Sequence, residues 1–173
     1  MGYTHYWDRH AEFNKDAFTR LVDEITNTIL PALPSASTSG GAYYADQPIV
    51  LAGWDGKGEP TFNYDEIRFN GTDEDDMGHE TFTLERVRTP LRDWQGNTWE
   101  RPKNGYYRDF CKTARKPYDL VVCLVLIAAH YHLVDSIQLR TDGDEDDWEP
   151  ALTFYLNLFP GRREEMTGTP PRL

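Results

Sequence analysis

Cysteine is scarce: Cys111 and Cys123 are the only two in 173 residues. Two thiols make no disulfide framework, and Cys123 reads as a small core residue. Positive charge is short as well. With 18 basic against 29 acidic side chains the net charge is −11. Such a surface repels phosphate over its whole extent, which disfavours duplex DNA or RNA as a partner. A small anion held in a local basic pocket is still allowed. Long apolar runs are missing too. The run from Leu120 to Ala129 has ten residues, where a membrane-spanning helix needs about 20. The opening MGYTHYWDRH has no apolar signal region. No Walker sequence, no Ser/His/Asp motif context and no Cys/His metal cluster is present. Asp55-Gly56-Lys57-Gly58 carries too few glycines, with no GK[ST] after it, for a phosphate loop. These absences lead to the expectation of a soluble, cytoplasmic protein without a metal or other cofactor.

What is present is organised around CKTARKPYDLVVCLVLIAAHYHL, Cys111 to Leu133. A helix apolar all round is buried on every side. Pro117 suits a first helical position, and Asp119 in the first turn suits the dipole. The stretch therefore predicts a central helix from Pro117 to near Leu133. Lys112, Thr113, Arg115 and Lys116 stand just before it. Cations and a hydroxyl beside free helix N–H groups resemble an anion site. Asp119 competes for the same groups, and a charged, solvated helix start is the plainer alternative.

The rest reads as follows. Gly2 to Trp7 is a β-prone strand with Tyr3, His5 and Trp7 on one face. Phe13 to Leu30 has helical apolar spacing, with Asn14 as cap. Pro31 to Pro48 is a loop. Asp65 to Asn70 and His79 to Arg88 alternate as strands and form a hairpin across an acidic, solvated turn. Thr89 to Tyr107 is irregular, with Trp94, Trp99, Tyr106 and Tyr107, and a second group of cations in Arg92, Arg101, Lys103 and Arg108. Ser136 to Thr141 is a strand, and a last helix is capped by Asp146 or Asp147. Asp142 to Asp146 begins like a calcium loop, but Asp147 and Thr153 replace the required glycine and glutamate. The expected fold is α+β: a ferredoxin-like βαββαβ antiparallel sheet with helices on one face plus a C-terminal helix. It forms a single domain over residues 1–160, with a loose tail over 161–173. The open sheet face would be covered by aromatic loops, a ligand or a second subunit, which leaves a homo-oligomer open.

The GYTHYW opening, the IRFNG and HETF strands and CKTARKPYDLVVCLVLIAA resemble a family of small uncharacterised proteins of phages and bacteria. The resemblance implies a phage-type protein of the host cell cytoplasm and assigns no catalytic residue. By analogy of setting, small phage proteins include anti-defence factors that sequester or cleave nucleotide messengers.

The leading functional expectation is therefore a small-molecule binding protein, rather than an enzyme, for a phosphorylated nucleotide-like ligand. In that reading it is a phage counter-defence sponge for a nucleotide immune messenger. Lys112, Thr113, Arg115 and Lys116 would hold phosphate, with Tyr3, His5, Trp7, Tyr106 and Tyr107 for stacking and hydrogen bonds. The alternative is a two-histidine phosphodiesterase acting on a cyclic or oligo-nucleotide messenger. His79 and Thr81 have the His-x-Thr form, and His5 would be the partner acid or base. His5 is followed by Tyr6 and Trp7, which departs from that form. A third reading is an acidic protein-interaction module. His130 and His132 are two residues apart on a helix and point to different faces, which is poor for one metal.

Overall fold

A computed structural model describes residues 2–37, 44, 46–98, 100–164 and 166. Trp99, much of the Pro31–Pro48 loop and most of the expected tail lie outside the described residues. Strand β1, Thr4–Arg9, is followed by helix α1, Lys15–Glu24. The Asn14 side chain accepts from the Ala17 N–H at 3.0 Å, the cap the sequence predicts. Ala17, Phe18, Leu21 and Val22 form the buried stripe of α1. The helix does not stop before Pro31. It widens into a π turn, Ile25–Ile29, and ends in one further turn, Leu30–Ala32. The Thr26 hydroxyl bonds the Val22 carbonyl at 2.9 Å, a back-bond that accompanies such distortions.

Five strands follow: β2 (Leu51–Ala52), β3 (Thr61–Phe62), β4 (Glu66–Gly71), β5 (Phe82–Glu85) and β6 (Tyr107–Lys112). The expected hairpin is β4–β5, in register Ile67 with Leu84 and Phe69 with Phe82, all four fully buried. Helix α2, Asp119–Leu133, ends where the sequence predicts. It starts two residues after Pro117, because Pro117 and Tyr118 form a turn. Every residue from Asp119 to Ala129 is buried, among α1, the last helix and the sheet. The window Asp119–Ser136 is long and apolar enough to cross a membrane, yet 67% of it is buried inside the protein. By that burial it is a core helix. Strand β7, Ile137–Thr141, and helix α3, Glu145–Leu158, follow. Asp144, not Asp146 or Asp147, is the cap of α3; Asp147 is the reciprocal partner in a capping box.

The strands divide into two antiparallel sheets. One has the order β6-β1-β7. Because β6 and β7 both run antiparallel to β1, the β6–α2–β7 connection is a split β-α-β unit. The other is built on β4, which pairs with β2, β3 and β5. Among the described residues the fold is thus α+β, with three long helices and two antiparallel sheets, and the single ferredoxin-like sheet is not confirmed. The reason is β6, Tyr107–Lys112, a strand absent from the expected βαββαβ order. It occupies the edge of β1 that the β4–β5 hairpin would need.

The sheets are joined by side chains and by backbone contacts, among them the antiparallel bridge of Glu12 with Val87 after β1 and β5. Glu80 N–H donates to the Lys112 carbonyl at 3.2 Å. Trp7, Phe82, Phe69 and Phe62 form a row of rings from one sheet to the other, with neighbouring centroids at 5.1, 5.1 and 5.6 Å. Buried Arg9 donates to the carbonyls of His10 and Glu85 at 2.9 and 2.7 Å. Its guanidinium lies 4.0 Å over Phe13, and burial lowers its pKa to about 10.

Candidate functional site

The segment expected to bind phosphate joins β6 to α2. Lys112 is the last residue of β6 and runs so close beside Gly2 that an added Cβ would collide with Lys112 Cε. The N–H groups of Thr113 and Ala114 donate to the Tyr3 carbonyl at 3.0 and 3.1 Å. Ala114 and Arg115 have φ of 52° and 58°, a left-handed turn that costs free energy for residues with a Cβ. Side chains hold that turn in place. Arg115 grips both oxygens of Asp147 at the start of α3 and lies 4.0 Å over the Tyr3 ring. Arg115 in turn holds the Asp147 carboxyl below its ordinary value. Lys116 is buried and bonds the carboxylate of Asp76 at 2.7 Å and its carbonyl at 2.5 Å. Three donors of the first turn are also engaged: Asp119 N–H reaches Lys116 O at 2.9 Å, and Val121 and Val122 N–H reach Tyr118 O at 2.9 and 3.1 Å. Here the segment is a brace between the acidic turn after β4, β6 and α3.

Strand β1 places Tyr3, His5 and Trp7 on its inner face, and all three are buried. Asp119 and Cys123, four residues apart on α2, face His5 from one side of that helix. His5 Nε2 lies 2.8 Å from Asp119 Oδ1, and the Thr113 hydroxyl donates to the same oxygen. Cys123 Sγ is 3.7 Å from His5 Nε2 and 3.9 Å from Asp119 Oδ2. Burial, and next the Asp119 charge, push the Cys123 thiol well up. Tyr3 and Trp148 stand edge-on to the His5 ring, with centroids at 4.9 and 5.1 Å. Among the described residues, His5 Nδ1 and Trp148 Nε1 are buried without a hydrogen-bond partner. The acid and the thiol address the same ring nitrogen. A nucleophile–base–acid relay needs them on opposite nitrogens.

His79 and Thr81 lie elsewhere, beside β4. The His79 N–H donates to Asn70 Oδ1 at 3.1 Å, and the Asn70 amide donates to the His79 carbonyl at 3.0 Å. Thr81 Oγ1 accepts from the Asp55 N–H at 3.1 Å. Among the described residues no hydrogen bond or ring contact joins His5 to His79. His132 pairs with Glu24 at 2.7 Å, and His130 is part-buried with burial lowering its pKa.

The outer face of the β6-β1-β7 sheet carries a different constellation. Alternation turns Tyr6 and Asp8 of β1, Arg108 and Phe110 of β6, and Gln138 and Arg140 of β7 away from α2. Asp8 is gripped by Arg108 at 2.7 and 3.0 Å and approached by Arg140 at 3.4 Å. The bond from Arg108 keeps the Asp8 carboxyl below its ordinary value. Beside this triad is a cleft of about 510 Å³ lined also by Arg101, Lys103, Asn104 and Tyr106. The turn Lys103–Tyr106 shapes its wall. Asn104 and Gly105 have φ of 53° and 83°, and the flanking residues exchange backbone bonds at 2.9 and 3.0 Å. That is the Asn-Gly signature of a two-residue hairpin turn. Tyr106 donates to the Asp135 carbonyl at 2.6 Å and lies tilted against His10, with centroids at 4.6 Å. Tyr107 instead lies under Arg88, whose guanidinium is 5.0 Å from its ring. On the same sheet face Tyr6 and Phe110 pair across strands with centroids at 6.4 Å, and Phe110 is 59% exposed.

Of the residues expected at a ligand site, the structure brings Tyr3, His5 and Thr113 together in the core, and Tyr106 alone lines the cleft. Arg140, Tyr6, Asp8 and Phe110 were not foreseen. The Asn104-Gly105 turn followed by the alternation of Tyr107 to Lys112 was the legible signal for β6, and hence for its outer face. Among known protein families, curated proteins and solved structures, none matches this chain.

Proposed function

We propose that the protein binds a phosphorylated, ring-bearing small molecule, of the nucleotide class, in the cleft on the outer face of the β6-β1-β7 sheet. One observation carries this reading. Arg101, Lys103, Arg108 and Arg140 converge on one cleft of a chain whose net charge is −11, and the acid among its lining residues, Asp8, is already shared by two of those arginines. Asp8 holds the Nε and Nη2 edge of Arg108, which leaves Arg108 Nη1, most of the Arg140 guanidinium, Arg101 and Lys103 to donate to phosphate oxygens. Tyr106 in the wall, and Tyr6 with Phe110 on the adjoining sheet face, offer ring surfaces for a base. The cleft supplies donors and charge, and the reading is of a ligand held intact, as a messenger-sequestering protein would hold it. The Lys112–Lys116 segment then serves structure.

The test is retention of a nucleotide panel, with mass spectrometry of what is bound and what is left in solution. The expected result is retention without product. A charge-assisted contact contributes about 1.5–3 kcal/mol, so Arg140→Ala should weaken the retained nucleotide roughly tenfold or more. Raised salt should weaken it in the same direction. Arg115→Ala, outside the cleft, should leave affinity unchanged. Equal affinity for unmodified and Arg140→Ala protein, or loss confined to Arg115→Ala, would return the site to the helix start.

A further inference from the structure

The buried cluster between β1 and α2 is separate from the cleft and carries an inference of its own. We propose that His5, Asp119 and Cys123 bind a single zinc-class divalent ion. Their ligating atoms, an imidazole nitrogen, a carboxylate oxygen and a sulfur, all lie within 4.8 Å of one another, and all three residues are buried. A tetrahedral zinc with bonds of about 2.0–2.3 Å spaces its ligand atoms about 3.3–3.7 Å apart. The 3.7 Å between Cys123 Sγ and His5 Nε2 is already near that spacing; Asp119 offers Oδ2 at 3.9 Å from the sulfur and Oδ1 at 2.8 Å from the nitrogen, so the carboxylate needs only a small shift to place one oxygen on the ion. Thr113, bonded to Asp119 Oδ1, orients the carboxylate from outside, as partners of metal ligands do.

Two further observations point the same way. His5 Nδ1 is buried with no hydrogen-bond partner among the described residues, so no bond seen at that nitrogen opposes a tautomer that presents the Nε2 lone pair. The Asp119 carboxylate is buried, while the nearby guanidinium of Arg115 is committed to Asp147. Binding balances both. The Nε2 proton moves to Nδ1, the Cys123 thiol releases its proton to solvent, and the carboxylate and thiolate together neutralise the ion. A mixed nitrogen, oxygen and sulfur set selects zinc over magnesium or calcium, which take oxygen ligands at higher coordination number.

The experiment is to unfold the full chain in chelator and refold it with Zn²⁺ or Co²⁺. Excess ion is removed, and metal content, the visible spectrum and thermal stability are recorded. The expected result is about one ion per chain, with a thiolate-to-cobalt charge-transfer band. Cys123→Ser should lose that band. Cys111→Ser should keep it, because the Cys111 thiol lies apart, 3.4 Å from the Glu80 carbonyl. Refolded protein of native stability that holds no ion overturns the proposal. So does bound cobalt without a thiolate band, or with a band that Cys111→Ser removes. Should Cys123→Ser fail to fold, the stoichiometry and spectrum of the unmodified chain still decide.

Discussion

Arg115 is where structure and sequence demand different outcomes. As a cation at a helix start, Arg115→Ala would weaken a ligand and leave folding untouched. In the folded protein Arg115 ties the β6–α2 turn to α3. Its side chain is 38% exposed and that of Asp147 19%. A pair this accessible contributes about 0.5–1 kcal/mol, at the upper end when both carboxylate oxygens are held. The stacking on Tyr3 adds about 0.5–1 kcal/mol. The substitution should therefore cost about 1.5 kcal/mol, or about 3–6 °C in Tm for a chain of this size. Urea and thermal unfolding of Arg115→Ala, Asp147→Ala and the double variant would isolate the pair. Asp147→Ala alone should cost more than the pair, since the Asp147 carboxylate also accepts the Asp144 N–H at 3.1 Å in the capping box. The cycle removes that contribution and should leave a coupling of about 0.5–1 kcal/mol. Arg115→Lys should recover part of the loss, because an ammonium can neither fork nor stack as well. A native Tm for Arg115→Ala with zero coupling would show that the brace does not hold the turn.

Two further outcomes follow from the core. Leu124, fully buried in α2, should not tolerate Leu124→Asp: an unpaired charge there has no partner, and the variant should yield no folded protein in expression and circular dichroism. Native thermal stability would show that α2 is not central. Glu24 joins α1 to α2, α3 and the turn after it, through His132 at 2.7 Å, Tyr155 at 2.8 Å and Arg162 at 2.7 Å. Burial pushes its carboxyl up, but the bonds from these three outweigh that and leave it below its ordinary value. A lowered folded pKa contributes stability that is complete above the ordinary glutamate value of about 4.3 and is lost as pH falls through the folded value. Urea unfolding at stepped acid pH should show a shallower loss for Glu24→Gln than for the unmodified chain, and identical slopes would refute the role given to this carboxylate.

Much of the fold is local and was legible. Residues from Leu120 to Ala129 with no polar side could only be surrounded. Asn14 before a helical stripe could cap only α1, and the alternation of Ile67, Phe69, Phe82 and Leu84 fixed which face of the hairpin is inward. The strand period also grouped Tyr3, His5 and Trp7 correctly. It does not say whether such a face meets the core or the solvent, because both strand faces were aromatic in GYTHYW. That choice belongs to α2, whose apolar surface takes the inner face and leaves Tyr6 and Asp8 outside. Pairing was likewise decided at long range. Lys112–Lys116 reads as unpaired charge because Asp76 and Asp147, which neutralise Lys116 and Arg115, stand 40 and 32 residues away in the chain. The meeting of His5 with Asp119 and Cys123 spans 114 and 118 residues. Periodicity registers neighbours a turn or a strand step apart; only the packing of β1 against α2 brings such distant groups within reach of one ion.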